Sequence, residues 1–172
     1  AMVSLARREG ADLTVVGPEA PLAEGIADAF AGAGLRCFGP SRAAARLETS
    51  KAFSKAFMGR WGIPTAASEI FTGFDAAADF VRRAPWPVVI KASGLAAGKG
   101  VILPESETDA LAALRAIMIG RAFGDAGDEV VVEARLQGPE ISLLAFCDGH
   151  RAIPMIPARD HKRIFEGDEG PN

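Results

Sequence analysis

Short apolar runs alternate along this chain with segments whose hydrophobic residues return every three or four positions, the patterns of strand and amphipathic helix taken in turn. Leu13-Thr14-Val15-Val16 is apolar and β-branched and breaks at Gly17-Pro18; Leu22, Ile26 and Phe30 then recur at intervals of four, as on one helical face. Gly32 and Gly34 stop that helix, and Leu35 to Phe38 forms a second strand closed by Gly39-Pro40. Residues 12–40 therefore predict a β-α-β unit with a parallel pair of strands. Two helical segments follow, Arg42 to Leu47 and Ser50 to Arg60, the second ended by Gly62-Ile63-Pro64, where Pro64 is a candidate hinge.

Beyond Pro64 the pattern changes. Ser68 to Phe71 reads as a strand, Asp75 to Arg83 as a helix, and Pro87-Val88-Val89-Ile90-Lys91 as a strand that runs into a glycine-rich loop. Val101 to Leu103 resumes a β-like run, so the loop joins two strands. Ser106, with Asp109 three residues on, caps a helix ending near Ile119, and Glu129 to Glu133 returns as a strand. Ile141 to Cys147 and Arg151 to Ile156 flank the turn signal Asp148-Gly149, which predicts an antiparallel hairpin. The lone β-α-β unit wants neighbouring strands, and the turn-rich end from Phe165 to Asn172 has nothing after it to pack upon; both features predict an internal fragment of a longer protein.

Composition narrows the class. With 19 basic and 22 acidic residues among 172, the net charge of −3 offers no positive field for a nucleic-acid backbone. The longest stretch free of Asp, Glu, Lys and Arg, Trp61 to Ser68, is too short to span a bilayer as a helix. Cys37 and Cys147 have no metal or redox spacing and read as reduced cysteines of a cytoplasmic protein.

Four stretches could carry chemistry. In Ser93-Gly94-Leu95-Ala96-Ala97-Gly98-Lys99-Gly100, three glycines let backbone N–H groups approach phosphate oxygens, and Lys99 adds a point charge. The spacing is not that of a P-loop, and the loop leads from strand to strand instead of strand to helix. Lys91 ends a strand whose other residues look buried, so its ammonium costs desolvation unless an anion waits for it or the side chain snorkels out from the strand end. A strand lysine followed by a glycine-rich flap is a polyphosphate clamp. The strand into Glu133-Ala134-Arg135-Leu136 leaves backbone groups that could read an adenine, with Glu140 an acceptor for ribose hydroxyls. Asp160-His161-Lys162-Arg163 packs an acid, an imidazole and two cations into four residues, suited to a small zwitterionic or phosphorylated substrate. Gly17-Pro18-Glu19-Ala20-Pro21-Leu22 occupies the strand-to-helix crevice where open α/β sheets bind ligands. Each alone also reads as an ordinary turn or a solvated charged loop; neither histidine lies near a cysteine cluster, so a His/Cys metal site is not expected.

In order and wording these motifs resemble the glycinamide ribonucleotide synthetase family, the phosphoribosylamine–glycine ligases of the ATP-grasp superfamily. The match includes V-V-G-P-E-A-P-L at Val15 to Leu22, F-G-P-S at Phe38 to Ser41, S-K-A-F at Ser50 to Phe53 and G-I-P-T-A at Gly62 to Ala66. It continues through V-I-K-A-S-G-L-A-A-G-K-G-V at Val89 to Val101, A-F-G-D-A-G at Ala122 to Gly127 and D-H-K-R at Asp160 to Arg163. Such a resemblance implies an α/β chain with an ATP-grasp fold preceded by the tail end of an N-terminal Rossmann-like (pre-ATP-grasp) domain. Its expected parts are residues 1–40 from that Rossmann-like domain, 41–64 a helical connection, 65–136 the lid subdomain with its flap, and 137–172 the truncated start of the second ATP-grasp subdomain.

The implied reaction uses ATP and Mg²⁺ (or Mn²⁺) to join glycine to 5-phosphoribosylamine through a glycyl phosphate. By matching motifs, Lys51 and Lys91 hold the α- and β-phosphates and Gly94, Gly98, Lys99 and Gly100 fold over the triphosphate. Glu133 and Leu136 present backbone to adenine, and Glu140 takes ribose. Gly17, Pro18, Glu19 and Pro21 lie near substrate together with Asp160, His161, Lys162 and Arg163, which with Lys91 form the expected catalytic set. No metal ligand is expected within the chain, the family's acid and asparagine falling beyond Asn172, so the fragment alone is expected to be inactive. Ala134 and Pro139 stand where the family's hinge carries acids. Another ATP-grasp carboxylate–amine ligase and a non-catalytic nucleotide-binding module remain alternatives, and the parent protein is either monofunctional or fused to further purine-pathway domains.

Overall fold

The computed structural model describes residues 1–96, 98–159, 161, 163–167 and 169–171, in two compact units, Ala1–Arg135 and Leu136–Asn172. No helix among the described residues is long and apolar enough to cross a membrane.

The first unit opens with helix α1 (Met2–Arg8), then β1 (Thr14–Val15), α2 (Glu19–Ala23), α3 (Ile26–Gly32) and β2 (Cys37–Phe38). Strands β1 and β2 pair in parallel, Thr14 with Cys37 and Val15 with Phe38, as the β-α-β reading requires. The single helix expected between them is in fact two. Gly25 sits in the left-handed region at φ 86°, which breaks the α-helical ladder and redirects the chain while Leu22, Ala27 and Phe30 stay buried. Helix α1 is only seven residues long and buries only Ala6, too short a run for hydrophobic spacing to reveal it.

Helices α4 (Arg42–Thr49) and α5 (Lys51–Trp61) follow, capped by Ser41, whose hydroxyl accepts from Ala44 N, and by Ser50, which accepts from Phe53 N. Gly62, left-handed at φ 65°, ends α5.

The remaining elements of this unit are β3 (Ser68–Phe71), α6 (Phe74–Arg83), β4 (Val88–Ala92), β5 (Val101–Ile102), α7 (Glu107–Met118), a 3₁₀ turn (Gly124–Gly127) and β6 (Val130–Ala134). The strands form an antiparallel sheet of order β3-β6-β4-β5. Alternation divides its two faces. Val88, Ile90 and Ala92 of β4 with Val130 and Val132 of β6 pack on Ala77 and Val81 of α6 and on Ala110, Leu114 and Ile117 of α7, which is the core. The other face carries Val89 and Lys91 of β4 and Val131 and Glu133 of β6, with α5 against β6. A helix capped by Ser106, which accepts from Asp109 N and donates to Asp109 Oδ2, closes the core side as its spacing predicts.

In the second unit β7 (Ala145–Cys147) and β8 (Ala152–Pro154) pair antiparallel around Asp148-Gly149. The Asp148 carboxylate accepts from the backbone N–H groups of His150 and Arg151, bonds that tie down the expected turn and hold its pKa below the usual aspartate value.

Candidate functional site

The end of β4 is anchored to the start of α5. Ser93, almost wholly buried, accepts through its carbonyl from Lys51 N at 2.8 Å and through its hydroxyl from Ala52 N at 3.1 Å, while its hydroxyl lies 3.3 Å from Ser50 Oγ. The first turn of α5 thereby satisfies its free N–H groups with β4 as well as with its own cap. That docking fixes Lys51 beside the flap: its ammonium donates to the Gly94 carbonyl at 3.3 Å.

Lys91 and Glu133 lie on the same sheet face, diagonal across the β4–β6 pair, in which Lys91 is opposite Val131 and Glu133 opposite Val89. They form an ion pair through Glu133 Oε1. The other carboxylate oxygen faces Lys55, one helical turn after Lys51, at 2.6 Å, approached at an angle that makes the contact ionic and leaves Oε2 without an aligned hydrogen bond. Lys55 also donates to Thr65 Oγ1 at 2.7 Å and to the Ala66 carbonyl at 3.1 Å. Burial pushes the Glu133 pKa up, but the two ammonium groups outweigh it and hold the carboxyl below its usual value. Lys51 is shifted down, first by burial and next by the charge of Lys91, with Glu48 pulling the other way. Two ammonium groups thus hold one buried carboxylate, Lys51 stands beside Lys91 with Glu48 at its edge, and the cluster keeps a positive excess. A cationic excess of this kind, in partial burial, has the charge to hold a polyanion.

The flap between β4 and β5 is shaped by close packing at its two ends. A Cβ on Gly94 would lie 2.7 Å from Ala126 Cα, and Gly94 N donates to the Ala126 carbonyl at 3.0 Å. At the other end Ala92 N donates to the Gly100 carbonyl at 2.8 Å. Gly98 and Lys99 between them are exposed.

Gly17, Pro18, Glu19 and Pro21 fall at the entry to α2. Gly17 and Glu19, with Leu22, Pro40, Ala45, Glu48 and Thr49, line a cavity of about 300 Å³. Because Glu48 also acts on Lys51, this cavity and the cationic cluster share a residue. In the second unit Leu136, Glu140, His161 and Arg163 are exposed, and Asp160 and Lys162 lie outside the described residues. Among the described residues no three His, Cys, Asp or Glu side chains are grouped to hold a metal.

Sequence reasoning therefore picked out Lys51, Lys91, Gly94 and Glu133, which the fold brings together, but missed Lys55 and gave Ser93 no role beyond opening the flap. Lys55 falls four residues after Lys51, a spacing that would have put both on one face of α5.

Comparison with known proteins agrees with this architecture. Residues 1–48 match the family described as "Phosphoribosylglycinamide synthetase, N domain", and residues 49–172 its "ATP-grasp (A) domain". Phosphoribosylamine–glycine ligase of Xylella fastidiosa (strain Temecula1) is 53% identical over 171 residues, 99% of this chain and 40% of that protein. The trifunctional purine biosynthetic protein adenosine-3 of Bos taurus is 53% identical over 173 residues, covering 100% of this chain and 17% of its own length. The crystal structure of phosphoribosylamine–glycine ligase from Thermotoga maritima superposes with a TM-score of 0.72 at 36% identity, over 80% of this chain and 35% of that one. This chain thus spans about 40% of the length of the monofunctional relatives it matches. With an ATP-grasp sheet, a flap between its strands and both sequence regions matched from end to end, the chain belongs to the phosphoribosylglycinamide synthetase family.

Proposed function

We propose that the protein carrying this chain joins glycine to 5-phosphoribosylamine at the expense of ATP. The observation that carries the reading is the convergence of Lys51 and Lys91 at the root of the glycine flap, where together with Lys55 they outnumber the carboxylates of Glu133 and Glu48. ATP's γ-phosphoryl group passes to a glycine carboxylate oxygen, leaving ADP. The neutral amine of phosphoribosylamine then attacks the acyl carbon, a C–N bond forms, phosphate departs, and the ammonium proton is lost to solvent or a nearby base. In this scheme Lys51 and Lys91 hold the α- and β-phosphates, and Gly94, Gly98, Lys99 and Gly100 cover the chain of phosphates and exclude water. Adenine is assigned to the backbone of Glu133 and Leu136, and ribose to Glu140. Gly17, Pro18, Glu19 and Pro21 are assigned to phosphoribosylamine and glycine together with Asp160, His161, Lys162 and Arg163. The Mg²⁺ or Mn²⁺ that accompanies ATP is given no ligand among the described residues and no step here. The reaction is placed in the cytoplasm, where Cys37 and Cys147, free in the structure, remain reduced.

The test is product formation by the full-length protein: ADP and phosphate released in equal amounts, only when both glycine and phosphoribosylamine are present. ADP formation with a different carboxylate or amine, and none with these, would assign the site to another ligase.

Titration of the lysines gives a second check. Lys51 in the free protein is held below the usual lysine pKa by burial and Lys91, so a bound phosphate must raise it. ADP binding is expected to take up protons through Lys51 at alkaline pH, below the usual lysine value of about 10.4, where the free side chain has begun to lose its charge. Calorimetry in buffers of different ionisation enthalpy reads this uptake, which should vanish in Lys51→Met; uptake unchanged in that variant would remove Lys51 from the phosphate site.

A further inference from the structure

Lys55 is the one cation of the cluster for which the expected contacts to substrate have no use. Its ammonium is fully committed, to Thr65 Oγ1, the Ala66 carbonyl and Glu133 Oε2. Its side chain is 11% exposed, against 26% for Lys91, so of the two partners of Glu133 it is Lys91 that retains access to solvent. The arrangement sets a charge problem. Were Glu133 and Lys91 alone, the pair would be neutral, and turning the Lys91 ammonium toward a phosphate would strand a buried carboxylate. With Lys55 fixed on the second oxygen, the carboxylate stays neutralised whichever way Lys91 turns, and the positive charge of Lys91 is left over for a ligand.

We infer that Lys55 is a positioning residue: held by Thr65 and Ala66, it fixes and neutralises Glu133 and so frees the Lys91 ammonium to serve the phosphates of a nucleotide. This rests on the nucleotide reading given above. It predicts a signature that simple packing does not share, because the defect from losing Lys55 arises from the charge on Glu133 and disappears with that charge.

The experiment titrates ADP and adenosine against the full chain, Lys55→Met, Glu133→Gln and the double variant. Lys55→Met is expected to weaken ADP on the order of tenfold, the effect of one unit charge at high effective dielectric, while adenosine changes by less than about twofold. In the double variant ADP affinity is expected to return to within about threefold of the parent, since an amide leaves no carboxylate for Lys91 to neutralise. Should Lys55→Met fail to fold, Lys55→Gln, which keeps a donor for the Ala66 carbonyl, takes its place in the same comparison. Equal losses for ADP and adenosine, or a double variant weaker than Lys55→Met, would overturn the inference in favour of a packing role. ADP binding untouched by either Lys55 substitution would overturn it too while leaving the nucleotide site standing. Failure of the parent chain to bind ADP would remove the nucleotide reading and the inference with it.

Discussion

Replacing Glu133 by alanine is expected to lower the unfolding free energy by about 3–5 kcal/mol, the cost of leaving buried charge without its counter-ion. Lys55 is the reason the figure stands at that level. Its ammonium is tied to Thr65 and Ala66 and cannot swing into water when the carboxylate goes, and Lys91 and Lys51 then add their repulsion. Chemical unfolding at neutral pH measures the loss, and a variant as stable as the parent would show that the cluster is not a buried charge centre. Acid titration supplies the sign. The folded pKa of Glu133 is depressed, so its stabilisation is complete above the unfolded carboxylate value of about 4.3 and is lost as pH falls through the lower folded value. The stability gap between the parent and Glu133→Gln should therefore be widest at neutral pH and close on acidification. A gap that widens in acid would reverse the assignment.

Gly94→Val is the second large effect, and its cause is steric. The first added carbon would sit 2.7 Å from Ala126 Cα and 2.9 Å from Ala126 Cβ, the nearer of them backbone that cannot swing aside as a flexible side chain would. The root of the flap must move off the 3₁₀ turn, which breaks the bond from Gly94 N to Ala126 and carries away the carbonyl that Lys51 holds. A destabilisation of about 1–3 kcal/mol follows from overpacking of this kind. Gly98 provides the contrast. No atom lies within 4 Å of its added Cβ, so Gly98→Ala meets only the strain of a left-handed φ of 76°, about 1–2 kcal/mol. ADP affinity in Gly94→Val is expected to fall by more than tenfold, about 1.4 kcal/mol. Unfolding curves and ADP titrations of the two variants, side by side, decide whether packing at the flap root matters more than conformational freedom at its tip; equal effects would say it does not.

What the sequence made legible was whatever local patterning controls. The strand Ser68–Phe71 falls where its β-branched and aromatic residues place it, and the Asp148-Gly149 turn builds its hairpin. Lys91 could be picked out because a lysine at the end of an apolar strand demands a counter-charge. The nearest one proved to be Glu133, which the notion of a waiting phosphate had not included. Lys55 was invisible for a related reason: a lysine on a helix ordinarily reads as solvated, and its burial depends on a carboxylate supplied by a distant strand. The break at Gly25 escaped notice because spacing of apolar residues continued across it, and periodicity reports which face is buried but not whether the backbone between is continuous.

Ser93 has one more consequence, for the order in which this chain can fold. The first turn of α5 takes its N–H partners at Lys51 and Ala52 from a residue some forty positions later in the chain. Helix nucleation, the costly step for a helix this short, is thereby coupled to the arrival of a strand end that is itself held by Glu129 next to β6. Helix and sheet are in this sense a single cooperative unit joined through one serine, and Lys51 and Lys55 take up their places beside Lys91 only when the long-range pairing is complete.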